Sequence, residues 1–404
     1  MNQTRTFLMF ALMAVSYFLF VAWQNDYTPH PAQQTSTVAS TSSTAATADN
    51  SVPGAIPAEA TSTTTTADAV APKVATEVAS LARTPLVHVR TDVLDLSLDT
   101  RGGSLVHAEL LKYGQTPRTH KNPHPAPVVL LTTDPATYSV VQGGLVSSDP
   151  SAAAADQPNH QAIFTSAKTD YVLAPDQNQL NVVLTWQNTA GLKVSKTYAF
   201  QRDSYVVTVS QHIFNSADKA WQGNAYRQVL AANPPKPGNW LKSYTDPEVR
   251  SFRGAAWYTG EKFEKLAFTE FSKPKDQLDA QIKGGWAAML RLYYVTAWIP
   301  PVAETDHYST QTLDPTGAHP RYLIRAVGPT LQVAAGQSVV SQSRLYLGPN
   351  IQGTLDAIAP GLDLSIDYGM FKIIAVPMHW VLSQLHKLVP NWGIAIILLV
   401  LLIK

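Results

Sequence analysis

The chain has 404 residues, 45% of them hydrophobic, with no cysteine and 30 Lys plus Arg against 29 Asp plus Glu. The formal charge of +1 gives no electrostatic reason to expect a nucleic-acid partner, and a chain without cysteine has no disulfide framework, thiolate metal site or thiol nucleophile. The length is ample for a large core with appendages.

Residues 1–5 carry Arg5, and an apolar run follows from Phe7 to Ala22. With its flanks, residues 6–23, the run is just long enough to span a bilayer. Its end, Phe20-Val21-Ala22-Trp23, is too bulky for the small-residue site of a cleaved signal peptide, the competing reading. The sequence therefore predicts an uncleaved anchor. Arg5 before it and Asp26 after it place the N-terminus in the cytoplasm. Residues 24–85 are dominated by Ser, Thr, Ala and Pro. With few large apolar side chains, burial there cannot offset chain entropy, so the segment reads as a flexible tether. A glycosylated stalk is the rival on composition.

Over residues 86–348 the pattern has period two. Leu94, Leu96 and Leu98 alternate with polar residues, and Arg101-Gly102-Gly103 supplies a turn. Leu180, Val182, Leu184 and Trp186 repeat the pattern and turn at 188–191. Leu192 to Phe200 returns, and Arg202-Asp203-Ser204 turns the chain again. The expectation is an all-β, antiparallel sandwich. Pro234 to Lys275 reads as long loops, with a short helical stretch over Gln277–Ile282. Residues 349–390 read as helical. Pro349 opens a short helix that ends before Pro360-Gly361, and an amphipathic helix follows over 368–389.

At about 100° per residue, Lys372, His379, Ser383, His386 and Lys387 share an arc roughly 100° wide on that helix, and most of the rest is apolar or aromatic, including Trp380. A narrow cationic stripe on an apolar body suits a phospholipid interface. Pro377 removes one backbone donor, so a kink is expected there. Residues 391–404 begin a second membrane helix, with Trp392 as an interfacial anchor. At 1.5 Å per residue the segment is about 20 Å long against a hydrocarbon core of about 30 Å, so it reads as cut short. Lys404 would lie deep in the membrane, either snorkelling outward or lining a wet cavity.

Chemistry-bearing motifs are few. The sequence holds no P-loop, GxGxxG, HExxH or GxSxG. His120 and His124 have a helical metal-ligand spacing, but Pro123 and Pro125 deny them a helix, and a solvated loop is the favoured reading. His107 and Glu109 face one way on a strand, as acid and base might, with the exposed face of an edge strand the blander alternative. The aromatic runs at 284–286 and 293–300 suit either a stacking cleft or a packed core, and the core is the default. No catalytic residue, metal or cofactor is expected.

Several segments carry a family resemblance. Thr91-Asp92-Val93-Leu94-Asp95-Leu96 with Thr100-Arg101-Gly102-Gly103 is similar to the first strands of the periplasmic domain in the YidC family of bacterial membrane protein insertases. Ser251-Phe252-Arg253-Gly254-Ala255-Ala256, Glu264-Lys265, Gly284-Gly285-Trp286 with Ala288-Met289-Leu290, and Thr296-Ala297-Trp298-Ile299-Pro300 also match. Leu362-Asp363-Leu364, Asp367-Tyr368-Gly369 and Asn391-Trp392-Gly393 complete the series, which covers the chain apart from the tether.

The resemblance implies a mutarotase-like β-supersandwich without catalysis. It implies a multi-pass protein of the bacterial inner membrane whose partners are nascent membrane proteins, the bilayer, and the Sec translocon with its accessory subunits. It places Lys404 where the family has one basic residue, commonly Arg, in a hydrated intramembrane groove that attracts acidic substrate segments. The interface helix, with Lys372, Trp380, His386, Lys387 and Trp392, precedes that groove. A membrane-tethered carbohydrate-binding or mutarotase-like protein is the alternative, and a pure docking module for the translocon a third reading.

Overall fold

The structure, a computed structural model, describes residues 84–116, 122–153, 156–235, 251–273, 276–351, 353–366 and 372–404. The expected anchor at 6–23, nearly all of the tether, and His120 lie outside these residues.

The chain runs first through β1 (Leu86–Arg90), β2 (Leu94–Asp99), β3 (Ser104–Gly114), β4 (Pro127–Leu131) and β5 (Ser139–Ser147). Two short strands, β6 (Thr165–Ser166) and β7 (Asp170–Val172), precede the long β8 (Gln179–Gln187), β9 (Leu192–Gln201), β10 (Val206–Asn215) and β11 (Trp221–Ala232). Then come β12 (Gly254–Tyr258), β13 (Phe263–Ala267), β14 (Asp279–Lys283), β15 (Trp286–Arg291) and β16 (Tyr294–Ile299). The last are β17 (Thr305–Leu313), β18 (Arg321–Val333) and β19 (Ser338–Pro349).

These strands form two sheets. One runs β14-β17-β18-β11-β5-β3-β2-β1-β7 with β4 beside β3, and the other β13-β12-β15-β16-β19-β10-β9-β8-β6. The pairings are antiparallel, with β1 and β7 joined in parallel. The fold is thus the expected large all-β sandwich. Period two explains its core: Leu94, Leu96 and Leu98 of β2 share one buried cluster with Val182 and Leu184 of β8 and Val194 of β9, from the other sheet. The Gly102 turn is fixed by space and by backbone. Gly102 has φ +69°, and a Cβ there would sit 2.3 Å from the His160 Cα.

Three local expectations are corrected. The helical stretch over 277–282 is strand β14, paired with β17 from Asp279↔Ser309 to Lys283↔Thr305. Five residues fit either period, and the open edge of β17 supplies hydrogen bonds that a lone helical turn would lack. Within 234–275, β12 and β13 form a hairpin on the second sheet where loops were expected. Pro349 closes β19 opposite Tyr294 and does not open a helix; the last position of a strand tolerates a missing donor.

The helix expected from Pro349 is a single turn, α1 (Leu355–Ile358). It lies over the outer face of the second sheet, where Leu355, Ala359 and Leu362 cluster with Trp286, Ala288 and Ala297. Trp286 is fully buried, stacks on Tyr258 and donates from Nε1 to the Pro360 carbonyl at 3.1 Å. Trp298 is buried between the sheets and donates to the Gln228 carbonyl at 3.2 Å. Both aromatic runs therefore serve the core at these positions, as the default reading held.

Candidate membrane-contact site

Past the sandwich the chain forms α2 (Lys372–Leu388) and α3 (Trp392–Ile403). The amphipathic helix expected over 368–389 is thus seen from Lys372, and residues 367–371 lie outside the described ones. Pro377 is inside α2, as the sequence places it.

Pro390 ends α2 because it cannot continue the i to i−4 ladder. Asn391 then starts α3: extended at φ −139°, its Oδ1 accepts from the Gly393 N–H at 2.9 Å and from the Ile394 N–H at 3.3 Å. Two orphan donors of the helix start are thereby met. The helices pack on each other, and the buried residues of α3, Ala395 and Leu399, lie four apart on one face.

Outside the polar stripe, much of the remaining surface is apolar and uncovered. Trp380, Leu388, Ile397, Leu401 and Leu402 are each exposed by 60% or more, against zero for Leu94, Leu96 and Leu98 of the sandwich. Apolar side chains left uncovered in this number mark a membrane or protein contact. At 12 residues α3 is about 18 Å long, and among the described residues no helix is long and apolar enough to cross a membrane.

The structure brings some of the expected site residues together. The His386 and Trp392 rings stack, with centroids 3.8 Å apart and planes at 12°. Lys387 is exposed beside them in the last turn of α2, where a cation complements the helix dipole. Trp380 is exposed two turns earlier, and Lys372 is the first residue of α2. Lys404 stands apart from this group, exposed at the far end of α3, its backbone N–H donating to the Val400 carbonyl.

Elsewhere, His107 and Glu109 do face one way, Nε2 to Oε1 at 3.2 Å. Their strand is interior, however: β3 pairs with β2 on one side and with β4 and β5 on the other, which corrects the edge-strand reading. His124 is exposed, and among the described residues no three His, Asp or Glu side chains gather as a metal site.

Two buried polar groups escaped the sequence reading. Arg227 on β11 donates from Nη1 to Asp306 Oδ2 at 2.6 Å, from Nε to Ser343 Oγ at 2.8 Å and from Nη2 to Glu304 Oε2 at 3.3 Å. Burial raises the Asp306 carboxyl pKa above its ordinary range, with Arg227 opposing. Lys196 on β9 is buried and donates to the carbonyls of Gly102 and Gly143, each at 2.8 Å. Desolvation brings its amine down to about 7. The only foresight available was polarity at inward positions of the alternation. Lys196 ties the sheets together, since Gly143 and the Gly102 turn belong to the other sheet, whereas Arg227 crosses only to Ser343 on β19, with Asp306 on β17 of its own sheet.

The profile of the YidC periplasmic domain matches residues 86–381. The chain is similar to the membrane protein insertase YidC of Thioalkalivibrio sulfidiphilus, 34% identical over 408 residues that cover all of this chain and 69% of the relative. For its counterpart in Methylobacillus flagellatus the figures are 35% over 406 residues, with 100% and 67% covered, and in Coxiella burnetii 36% over 404, with 98% and 65% covered. The chain spans about two thirds of the length of the curated relatives it matches. In shape it is also similar to a galactose mutarotase related enzyme from Lactobacillus acidophilus, at 8% identity and TM-score 0.40, covering 65% of this chain and 97% of that one. By the extent of the profile match and the identity of these relatives, the chain belongs to the YidC membrane protein insertase family.

Proposed function

We propose that the chain is the anchored, periplasm-facing part of an insertase that inserts and folds inner-membrane proteins, alone or with the Sec translocon and its accessory subunits. In this reading residues 1–5 lie in the cytoplasm, 6–23 anchor the chain, 24–85 tether the sandwich, and α2 lies in the bilayer interface. Clients are nascent membrane proteins, and no covalent reaction is catalysed. Lys404 supplies a fixed positive charge, which lowers the barrier for acidic client segments in a low-dielectric setting. The observation that carries the reading is the uncovered apolar surface of α2 and α3 directly after a sandwich that buries its own apolar side chains. A mutarotase-like activity is not favoured, since the profile match and the relatives at 34–36% identity are to membrane protein insertases.

The test is site-specific photocrosslinking from Trp392 and Leu402 in inner-membrane vesicles during synthesis of a membrane protein. Adducts with the nascent chain are expected. Adducts with lipid alone would remove the client-contact reading and leave a membrane-seated docking module.

A further inference from the structure

The β15–β16 hairpin ends in an apolar tip. Its strands pair as far as Arg291↔Tyr294, which leaves Leu292 and Tyr293 as a two-residue turn. Such turns favour Asn, Asp or Gly, because their twist calls for positive φ. Leu292 and Tyr293 belong to none of these types, and neither has a positive φ. Tyr293 is nonetheless 58% exposed. Other turns of the sandwich, at Arg202-Asp203, Gly260-Glu261 and Gly336-Gln337, carry charge or glycine. The tip carries no charge of its own, and Arg291 at its base donates to the Val129 carbonyl at 3.0 Å. Local turn chemistry does not account for an exposed Leu-Tyr pair here.

Its position does. The Asn350 N–H donates to the Tyr293 carbonyl at 2.7 Å, just after β19 ends. The chain then passes through α1 and a 3-10 turn over Leu362–Ser365, and comes back: Ser365 Oγ donates to Asn350 Oδ1 at 3.0 Å. Asn350 therefore holds the tip beside the point where the chain leaves the sandwich. From Ile366 to Lys372, the start of α2, the chain can span at most about 21 Å. Ile351, next to Asn350, is 39% exposed and adds an aliphatic side chain to the aromatic one. Tyrosine suits the boundary of a bilayer, with its ring among acyl chains and its hydroxyl among headgroups. Tyr294 meets Tyr113 edge-on at 6.4 Å, and Lys112, beside Tyr113, pairs with Asp203. That charged rim limits the contact to headgroup depth.

We infer that Leu292, Tyr293 and Ile351 seat this end of the sandwich on the phospholipid bilayer, as a second membrane contact besides α2. The uncharged aromatic tip and its short reach to α2 select lipid as the occupant. The inference rests on the reading that α2 lies in the interface. With two points of attachment, the sandwich takes a set orientation over the bilayer.

The natural chain has no cysteine, so a single introduced one takes a label cleanly. The 404-residue chain is reconstituted in vesicles of phosphatidylethanolamine and phosphatidylglycerol, with an environment-sensitive fluorophore at Ile351→Cys, Trp380→Cys or Val340→Cys. Val340 is 55% exposed near the start of β19, about 30 Å along the strand from Pro349. Blue-shifted emission and quenching by headgroup-depth spin-labelled lipid are expected at position 351, and neither at position 340. Tyr293→Asp, at an exposed turn position, should remove the quenching at 351 and leave both that at 380 and the urea midpoint unchanged. A label at 351 that reads like the one at 340 overturns the inference, as does Tyr293→Asp with quenching intact. The label at 380 separates two failures. Lipid contact there with none at 351 removes the tip contact alone, whereas contact at neither removes the interfacial reading with it.

Discussion

His386 and Trp392 stack face to face, 3.8 Å between centroids, across the Pro390-Asn391 break that separates α2 from α3. The break in the sequence is therefore not a break in the packing: one aromatic pair sets the approach of the two helices. An aromatic pair of this kind is worth about 0.5–1.5 kcal/mol beyond its buried area. His386→Leu is expected to broaden the distance distribution between spin labels at Met378 and Ile397. An unchanged distribution would show that the cap and the apolar contacts alone hold the bend.

The charge reversal Lys372→Glu with Lys387→Glu places two carboxylates toward anionic headgroups. Each basic residue near such a surface contributes about 1 kcal/mol, so seating of α2 is expected to weaken. Lipid-phase quencher accessibility at Trp380 and Leu385 reads it out. Equal accessibility in both proteins would remove the interfacial role of the stripe.

Asp306→Ala leaves the Arg227 guanidinium buried without its shortest partner. A loss of about 3–5 kcal/mol in urea unfolding is expected. The double change Arg227→Met with Asp306→Leu should recover most of it, because apolar replacement of a buried pair is often near neutral. If the single change costs no more than a surface substitution, Glu304 and Ser343 suffice to hold the guanidinium.

Lys196 gives a pH dependence. Its amine, ordinarily near 10.5, is brought down to about 7 by burial. Between those values the unfolded chain carries the proton and the folded one does not, so unfolding takes up a proton and stability rises with pH. Below about 7 both states are protonated and the penalty is constant. Relative to Lys196→Met, the melting temperature of the natural chain should climb from pH 7 toward 10. A constant difference would mean that the two carbonyl partners keep the ammonium form inside the fold.

The sandwich was legible wherever strands are long and bury one face. Leu94 to Leu98, Leu180 to Trp186 and Leu192 to Phe200 alternate cleanly, with glycine or polar turns at their ends, and local chemistry suffices to define them. The hairpin at 254–267 and strand β14 were not legible. Gly254-Ala255-Ala256 is poor in β-branched residues, and Asp279–Lys283 is too short to show a period, so both exist because a neighbouring strand offers hydrogen bonds.

The same division holds for the candidate site. The sequence by itself determined the apolar and cationic character of α2, the break at Pro390 and the period-two core, because each follows from side-chain chemistry over a few residues. Only the tertiary structure decided that His386 meets Trp392, that Arg227 finds Asp306 79 residues away, and that Lys196 reaches Gly102 and Gly143. Those contacts join positions that are distant along the chain or separated by a turn. They form because two twisted sheets, and two capped helices, can bury their apolar faces in one register, which then dictates the neighbours of each polar group.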